Sequence, residues 1–250
     1  MKLALLSDIH SNWQALESCL DHARERGVQQ WAFLGDLVGY GGQPGQVVDC
    51  IMAMAAEGAL VLKGNHDALA LSPPTQVVTI GDSTAQWTQS QLSPEHRSFL
   101  ASLPLTAQVE DVLLVHASAD QPEKWRYVED ARSAGASLDA AVALPGVRYV
   151  FGGHVHQQTL YFRGSSHGLM AFQPTAGVAV PTPRHRQWIA TVGSVGQPRD
   201  GDARAMYAIF DTLAAQLTFH RVDYDFHAAA AEIRQAGLHD FFAQRLEDGR

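Results

Sequence analysis

Polar side chains with metal-binding chemistry follow several short apolar runs of this chain. There are five such motifs: Asp8-Ile9-His10, Gly35-Asp36, Gly64-Asn65-His66-Asp67, His116 and Gly152-Gly153-His154-Val155-His156. If the apolar runs are parallel neighbouring strands, their carboxyl ends bring these side chains to one crevice. The ligand set suits two adjacent divalent metals, with three oxygen side chains (Asp8, Asp36 and Asn65) and four imidazoles (His10, His116, His154 and His156). The sequence therefore predicts a dinuclear metal centre with hydrolytic chemistry.

The spacing within two motifs supports this prediction. Asp8 and His10 are two residues apart, as are His154 and His156. On an extended backbone, side chains at positions i and i+2 share a face, so each pair could reach one metal. Two imidazoles on one face are hard to explain as core residues, because their nitrogens need polar partners.

The second and third motifs add groups with distinct chemistry. The carboxylate of Asp36 could bridge two cations, and the amide oxygen of Asn65 is a neutral metal ligand. His66 could carry a proton near neutral pH. Asp67 could hydrogen-bond His66 and fix its tautomer. Taken singly, these motifs are also typical of helix caps and turns, and His116 of a packed histidine. Their joint occurrence at strand ends favours the metal site.

Strands and helices alternate around the motifs. Strands are predicted over residues 3–6, 30–34, 60–62, 112–115 and 148–151, and helices over 13–26, 44–56 and 226–236. Residues 68–109 are predicted to be a mainly helical insert. Further strands are predicted over 160–162, 169–172, 188–192, 206–211 and 216–222, the last two as a hairpin. This pattern predicts a single α/β domain with a second sheet.

The segment 121–146 has no clear pattern. It contains Trp125 and Tyr127, which could belong to a lid or could simply pack the segment.

Composition restricts the function classes. The chain has 250 residues, 46% of them hydrophobic, and a formal net charge of −8. This charge disfavours a long nucleic-acid partner, because neutralising phosphates demands Lys and Arg. Cys19 and Cys50 fall in helical patterns and are interpreted as small buried hydrophobes, which fits a reducing cytoplasm. The apolar run before Asp8 is too short for a signal peptide, and no run is long enough to span a membrane.

In this order, the five motifs resemble those of the calcineurin-like metallophosphoesterase superfamily, over about residues 3–225. The segment 193–199, which begins Gly193-Ser194-Val195, and the long insert are similar to small bacterial phosphodiesterase-like or diadenosine-tetraphosphatase-like members. The resemblance implies a four-layer αββα sandwich with a helical insert at about 68–109.

The resemblance also implies how the ligands divide between two metals. One metal is assigned Asp8, His10, Asp36 and His156, and the other Asp36, Asn65, His116 and His154. A hydroxide bridging the metals would attack phosphorus, and His66 would protonate the leaving oxygen. Imidazole and carboxylate ligands favour Mn, Fe, Co, Ni or Zn over Mg or Ca. Mn is the favoured candidate, although the ligand types do not choose among these metals.

Four residues outside the motifs are candidates for substrate contacts. Arg199 follows a strand, and its guanidinium could bind phosphate oxygens bidentately. Tyr40 could line the mouth of the site or could cover apolar core. His167 and His185 lie in loops that could reach the substrate.

Three functions remain open. The first is a metal-dependent phosphoesterase acting on a small phosphomonoester, phosphodiester or nucleotide. The second is a non-catalytic scaffold on the same fold, which the full ligand set disfavours. The third is a nuclease of the same superfamily, which the acidic balance disfavours.

Overall fold

Two six-stranded sheets form the centre of the protein in the computed structural model, which describes residues 1–163 and 168–250. In chain order the strands are β1 (Lys2–Leu6), β2 (Gln30–Phe33), β3 (Leu60–Val61), β4 (Thr106–Val109), β5 (Val112–Val115), β6 (Tyr149–Gly152), β7 (Gln158–Arg163), β8 (Leu169–Phe172), β9 (Ala179–Pro181), β10 (Gln187–Val192), β11 (Ala205–Asp211) and β12 (Gln216–Val222). The α-helices are α1 (Trp13–Glu25), α2 (Pro44–Ala56), α3 (Asn65–Leu71), α4 (Ile80–Gln91), α5 (Pro94–Ser102), α6 (Ala131–Ala141), α7 (Phe226–Gln235) and α8 (Asp240–Asp248).

The strands that precede the five motifs are divided between the two sheets. The first sheet has the order β3-β2-β1-β11-β12-β9, and β1, β2 and β3 are parallel. The second has the order β4-β5-β6-β10-β7-β8, and β5, β6 and β10 are parallel. The expected parallel neighbours are therefore found within each sheet. The site predicted at their carboxyl ends must be built where the two sheets meet.

A continuous apolar core fills the space between the sheets. Leu3 and Leu5 of β1 point into it, whereas Ala4 and Leu6 point to the opposite face, as the two-residue period of a strand requires. The Phe210 ring of β11 lies 4.7 Å from the Tyr149 ring and 5.1 Å from the Phe151 ring, both on β6 of the other sheet. These contacts hold the two sheets face to face.

Helices cover both outer faces. Leu16 of α1 and Val47 of α2 pack in the cluster on the outside of the first sheet. Leu138 of α6 packs with Val150 of β6 on the outside of the second sheet. The layer order is helix, sheet, sheet, helix, which confirms the predicted four-layer αββα sandwich.

The helix boundaries follow local signals in the sequence. The side chain of Asn12 accepts a hydrogen bond from the Ala15 N–H at 3.1 Å, so Asn12 caps α1. Pro44 occupies the first turn of α2, where its missing N–H costs nothing. Cys19 is buried in α1, Cys50 is half-buried in α2, and both are free.

The predicted insert at 68–109 is helical only in part. Helices α3, α4 and α5 account for it as far as Ser102. Its last residues form β4, which pairs antiparallel with β5 and alternates between exposed and half-buried positions. Pro104 follows the helix, and this alternation is that of an edge strand. The assignment of the whole chain to one domain stays a prediction.

Two elements near the end of the sequence frame one side of the molecule. Helix α7 begins where it was predicted, but α8 was not predicted. Phe242 and Leu246 of α8 pack against Ile233 of α7. Arg234 of α7 forms ion pairs with Asp240 and Glu247 of α8.

Among the residues that the structure describes, no helix has the length and apolarity needed to cross a membrane.

The β11–β12 hairpin offers a matched test of the inter-sheet core. Leu217 is fully buried between the sheets, whereas Leu213 in the turn is 87% exposed. We expect Leu217→Ala to lower the free energy of unfolding by about 2–5 kcal/mol, because it leaves a cavity. Leu213→Ala should change it very little. Urea unfolding would measure both, and equal effects would contradict the described packing.

Candidate metal centre

The predicted ligands converge at the carboxyl ends of strands from both sheets. The donor atoms form two groups, and within each group they lie within 4.8 Å of one another. The first group consists of Asp8, His10 and His156, and the second of Asp36, His116 and His154. The seventh predicted ligand, Asn65, places its side-chain oxygen 3.1 Å from Nε2 of His116. Each group contains residues that the resemblance assigned to one metal, and the assignment to metals stays a prediction.

Three of the histidines are oriented by main-chain carbonyl groups. Their Nδ1 atoms lie at hydrogen-bonding distance from a carbonyl oxygen: His10 to Val38 at 3.2 Å, His116 to Leu34 at 2.8 Å and His156 to Gln197 at 2.6 Å. Because a carbonyl oxygen only accepts, each Nδ1 of a neutral ring must donate. The Nε2 lone pairs are then directed into the cluster, as they are in metal-binding histidines.

The atoms that face the centre of the first group are acceptors. Nε2 of His10 lies 3.1 Å from Nε2 of His156, which lies 3.2 Å from Oδ1 of Asp8. With the Nδ1 atoms protonated, these three atoms hold no proton to share. Within the described residues, Asp8 Oδ1 and His154 Nε2 are buried without a hydrogen-bond partner. Buried acceptors in such a cluster fit a divalent cation, which satisfies them together.

Asp36 lies between the two groups. Its Oδ2 atom is 3.8 Å from Nε2 of His10 and 3.4 Å from Nε2 of His116. Its Oδ1 atom accepts the main-chain N–H of His66 at 2.7 Å. One oxygen of this carboxylate therefore faces both groups, while the other accepts the main-chain hydrogen bond of His66.

Charge and burial determine the protonation of the cluster. Burial opposes ionisation of Asp8, but the positive charge of a protonated His156 ring would hold the pKa of Asp8 below its usual range. For His116, burial is outweighed by the Asp36 carboxylate, which raises the pKa to about 9. For His154, burial and the charge of His116 lower the pKa to about 4. These shifts keep Asp8 ionised and favour the protonated form of His116.

The backbone at the ligands differs from the predicted extended form. Five predicted ligands have positive φ angles, namely Asp8 (54°), His10 (49°), Asp36 (53°), His154 (69°) and His156 (57°). This left-handed region is uncommon for residues other than glycine, and each such residue costs about 1–3 kcal/mol. The prediction that each pair, Asp8 with His10 and His154 with His156, shares one face of an extended backbone was therefore wrong. The side chains converge because the loops curl, not because strands continue.

Hydrogen bonds between neighbouring loops hold these conformations. The Asp8 N–H donates to Gly35 O and the His10 N–H donates to Asp36 O, both at 3.0 Å. Close packing adds to this: a Cβ atom on Gly153 would lie 2.3 Å from Oδ2 of Asp8. Glycine is required there because the second sheet's loop approaches the first sheet's ligand directly.

Asp67 does not take the predicted position beside the His66 ring. Its two oxygens instead accept main-chain N–H groups, from Leu37 at 2.9 Å, Val38 at 3.2 Å and Gly64 at 2.8 Å. Burial and the Asp36 charge raise the pKa of Asp67 to about 7, an effect that the hydrogen bonds from Gly64 and Val38 oppose. Asp67 thus ties the loop after β2 to the start of α3. The prediction that it fixes the His66 tautomer was wrong.

His66 and the two predicted substrate residues lie together beside the first ligand group. The Tyr40 ring is 4.4 Å from the His66 ring and 4.5 Å from the His10 ring. The Arg199 guanidinium lies over Tyr40, 5.8 Å from the ring centroid. Burial lowers the pKa of His66. Tyr40 also stacks on Phe242, so both interpretations of this tyrosine describe part of its environment.

Two aromatic side chains of the 121–146 segment contact the second ligand group. The Tyr127 ring stacks on His154 at 4.1 Å, and the Trp125 ring meets His116 edge-on at 5.8 Å. His185 is exposed in a loop, and His167 lies outside the described residues.

Sequence reasoning missed the residues that orient the ligands through the main chain. Leu34, Val38 and Gln197 act through carbonyl groups, which every residue type possesses, so only the fold reveals them. Gln197 had one available signal, because it lies within the motif-like segment 193–199.

Comparison with known proteins agrees with this geometry. Residues 1–215 match the model of the calcineurin-like phosphoesterase superfamily domain. The chain belongs to this superfamily, whose members hydrolyse phosphate esters and whose chemistry implies divalent metal ions.

The relatives cover the chain nearly end to end. It is 31% identical to an uncharacterized protein of Methanocaldococcus jannaschii, over 99% of this chain and 98% of that protein. It is 33% identical to a metallophosphoesterase from Sphaerobacter thermophilus, with a TM-score of 0.87 over 100% of this chain and 99% of that structure. A hypothetical protein from Pyrococcus horikoshii shares the fold, with a TM-score of 0.80 at 18% identity over 100% and 98% of the two chains.

The contacts of Asp67 lead to a test that separates a structural role from a catalytic one. We expect Asp67→Ala to lower the free energy of unfolding by at least about 2 kcal/mol, because buried N–H groups lose their acceptor. Asp82 holds the same position in helix α4, where it accepts hydrogen bonds from the N–H groups of Val78 and Thr79 at the surface. Asp82→Ala should lower the free energy of unfolding much less than Asp67→Ala does. Unchanged stability in Asp67→Ala would contradict the structural role of this carboxylate as an acceptor for the loop N–H groups.

Proposed function

We propose that this chain is a dinuclear metal-dependent phosphoesterase acting on a small phosphomonoester, phosphodiester or nucleotide. The observation that carries the proposal is the inward orientation of three imidazole Nε2 atoms beside two carboxylates and an amide oxygen. Such a donor set suits Mn, Fe, Co, Ni or Zn, with Mn favoured. One ion would be held by Asp8, His10, Asp36 and His156, and the other by Asp36, Asn65, His116 and His154.

The surrounding residues prepare the centre for phosphoryl chemistry. When bound, two such cations supply Lewis acidity, which polarises phosphoryl oxygens and favours the ionised form of a water molecule. Asp36 offsets the repulsion between the two positive charges through the oxygen that faces both groups. The main-chain carbonyls fix the imidazoles, so the ligands require little reorganisation when a substrate binds.

The remaining steps are assigned to side chains beside the first ligand group. His66 donates a proton to the leaving oxygen, and Arg199 binds phosphate oxygens next to Tyr40. A small substrate suits the net charge of −8, because the local positive charge comes from the metals and a few arginines. The proposed setting is the cytoplasm, where the free thiols of Cys19 and Cys50 remain reduced.

The bridging position of Asp36 gives the first test of this function. The purified chain should carry close to two Mn ions after loading and hydrolyse a chromogenic phosphoester. Asp36→Ala and Asp36→Asn should abolish activity and weaken both ions, whereas His156→Ala should weaken chiefly one. Metal analysis and steady-state rates measure this. The exposed Asp21→Ala serves as a control, since Asp21 pairs with Arg24 on the same helix.

Two outcomes would contradict these assignments. Two retained ions in both Asp36 variants would reject the bridging position. An absence of bound metal together with an absence of activity in any divalent ion would reject the function itself.

His66 gives a second test, which separates proton transfer from metal binding. His66→Ala should keep its metals and lose about 10²–10⁴-fold in rate with an alkyl ester, whose leaving oxygen needs a proton. The loss should be smaller with a nitrophenyl ester, because that leaving group is stable as an anion. His227→Ala, an exposed change on α7, is the matched control. Equal losses for both esters would exclude proton donation, and a lost metal would identify His66 as a ligand.

A further inference from the structure

One predicted metal ligand is held differently from the other histidines. The Nδ1 atoms of His10, His116 and His156 each lie at hydrogen-bonding distance from a main-chain carbonyl oxygen. His154 is anchored through its main chain instead, because its N–H donates to Oδ2 of Asp8 at 2.8 Å. Within the described residues, no hydrogen bond reaches a ring nitrogen of His154, and its Nε2 atom is buried. The rotation of this ring must therefore be set by packing.

Aromatic rings flank the His154 imidazole on two sides. The Tyr127 ring lies nearly parallel to it, with 4.1 Å between the centroids and 26° between the planes. The His116 ring meets it edge-on, with 5.0 Å between the centroids and 65° between the planes. Tyr127 is 52% exposed, whereas His154 is buried. Tyr127 is thus the outer ring of the stack and covers the second ligand group.

The segment that carries Tyr127 is fastened to helix α6 on both sides of this residue. Before Tyr127, the Ala119 N–H donates to Oγ of Ser137 on α6 at 2.9 Å. Directly after it, Val128 is buried in the cluster that contains Leu138 of the same helix. The fold therefore places the tyrosine ring against the imidazole through contacts that do not involve His154.

We infer that Tyr127 is a positioning residue for the metal held by the second ligand group. Its ring fixes the angle of the His154 imidazole, which is the task that carbonyl groups perform for the other three histidines. A parallel ring restricts rotation of the imidazole and leaves both of its nitrogens free for other partners. The inference rests on the proposed function, because it requires a metal ion at this group. Residues that orient a ligand from outside help to set the affinity for the metal.

The test measures the two metal positions separately in the chain titrated with Mn²⁺. Tyr127→Leu keeps an apolar side chain but removes the planar ring, whereas Tyr127→Phe keeps the ring and removes the hydroxyl. We expect Tyr127→Leu to bind one ion as the wild type does and the other about 10–100-fold more weakly. Tyr127→Phe should bind both ions like the wild type. Calorimetry gives the two dissociation constants, and electron paramagnetic resonance distinguishes an isolated Mn²⁺ from a coupled pair.

The same segment offers a matched control. Trp125 meets His116 edge-on at 5.8 Å, but the carbonyl oxygen of Leu34 also holds that imidazole at 2.8 Å. Trp125→Leu should therefore weaken Mn²⁺ binding much less than Tyr127→Leu does. Phe172→Leu removes an exposed aromatic ring from β8 and should leave both dissociation constants unchanged. Circular dichroism checks that each variant is folded.

Three outcomes would overturn the inference even in an active esterase. Unchanged binding of both ions by Tyr127→Leu would show that the ring does not position a ligand. If such a variant instead had a raised KM, Tyr127 would contact the substrate. Equal losses in Tyr127→Leu and Tyr127→Phe would assign the effect to the hydroxyl, and equal losses in Tyr127→Leu and Trp125→Leu would assign it to the segment as a whole.

Failure of the proposed function gives a different result. A wild type that binds two Mn²⁺ ions but hydrolyses no phosphoester would contradict the proposed activity. The comparison of Tyr127→Leu with Tyr127→Phe would still decide whether the tyrosine ring positions His154, because it measures metal binding and not turnover.

Discussion

A buried cluster of acceptors that cannot satisfy one another is the constraint on which the rest of the structure depends. Imidazole lone pairs and carboxylate oxygens face each other over 3.1–3.8 Å at the junction of the two sheets. In a low-dielectric environment such an arrangement is unfavourable unless positive charge lies among the acceptors. The fold supplies the rigidity to hold them together. The αββα layers bury the cluster from both sides, and the carbonyl groups prevent the rings from turning away.

The strain at the ligands has the same origin. Left-handed conformations at five predicted ligands let short loops direct side chains inward from strands of different sheets. An extended chain would send successive side chains to opposite faces of its own sheet and could not serve a site between sheets. The backbone hydrogen bonds between the β1 and β2 loops, and the glycines where loops nearly touch, offset this cost. The strain is concentrated at the ligands, where it is expected for a functional site.

The elements around the site were largely predictable because they follow from apolar runs. The apolar runs before Asp8, Asp36 and His116 are short, continuous and bounded by polar motifs. This pattern is typical of buried strands. The division of these strands between two sheets was not predictable from the residues, since each run looks the same in either sheet. The strand pattern predicted a second sheet and the family resemblance implied a four-layer sandwich, and the structure agrees with both.

Where prediction failed, the decisive interaction was with the main chain. Asp67 was assigned to a neighbouring side chain, yet its carboxylate binds the backbone of another loop. Helix α8 was not predicted because only a few residues separate it from α7 and because most of its residues are polar. The contacts of Phe242 and Leu246 with α7 are therefore not evident from the sequence. The left-handed ligands carry no sequence signal beyond a mild preference of Asp and His for that region.

The pairing of β1 with β11 has a consequence for the synthesis of this protein on the ribosome. Lys2 lies opposite Asp211, so the strand before Asp8 completes its sheet only after about two hundred further residues have been made. A nascent chain that exposes Asp8, His10 and Asp36 therefore lacks the imidazoles of the second sheet and the partner strand that fixes β1. Local folding cannot assemble the centre, because its contacts are separated by most of the chain. In the proposed function, metal binding would therefore be coupled to completed folding.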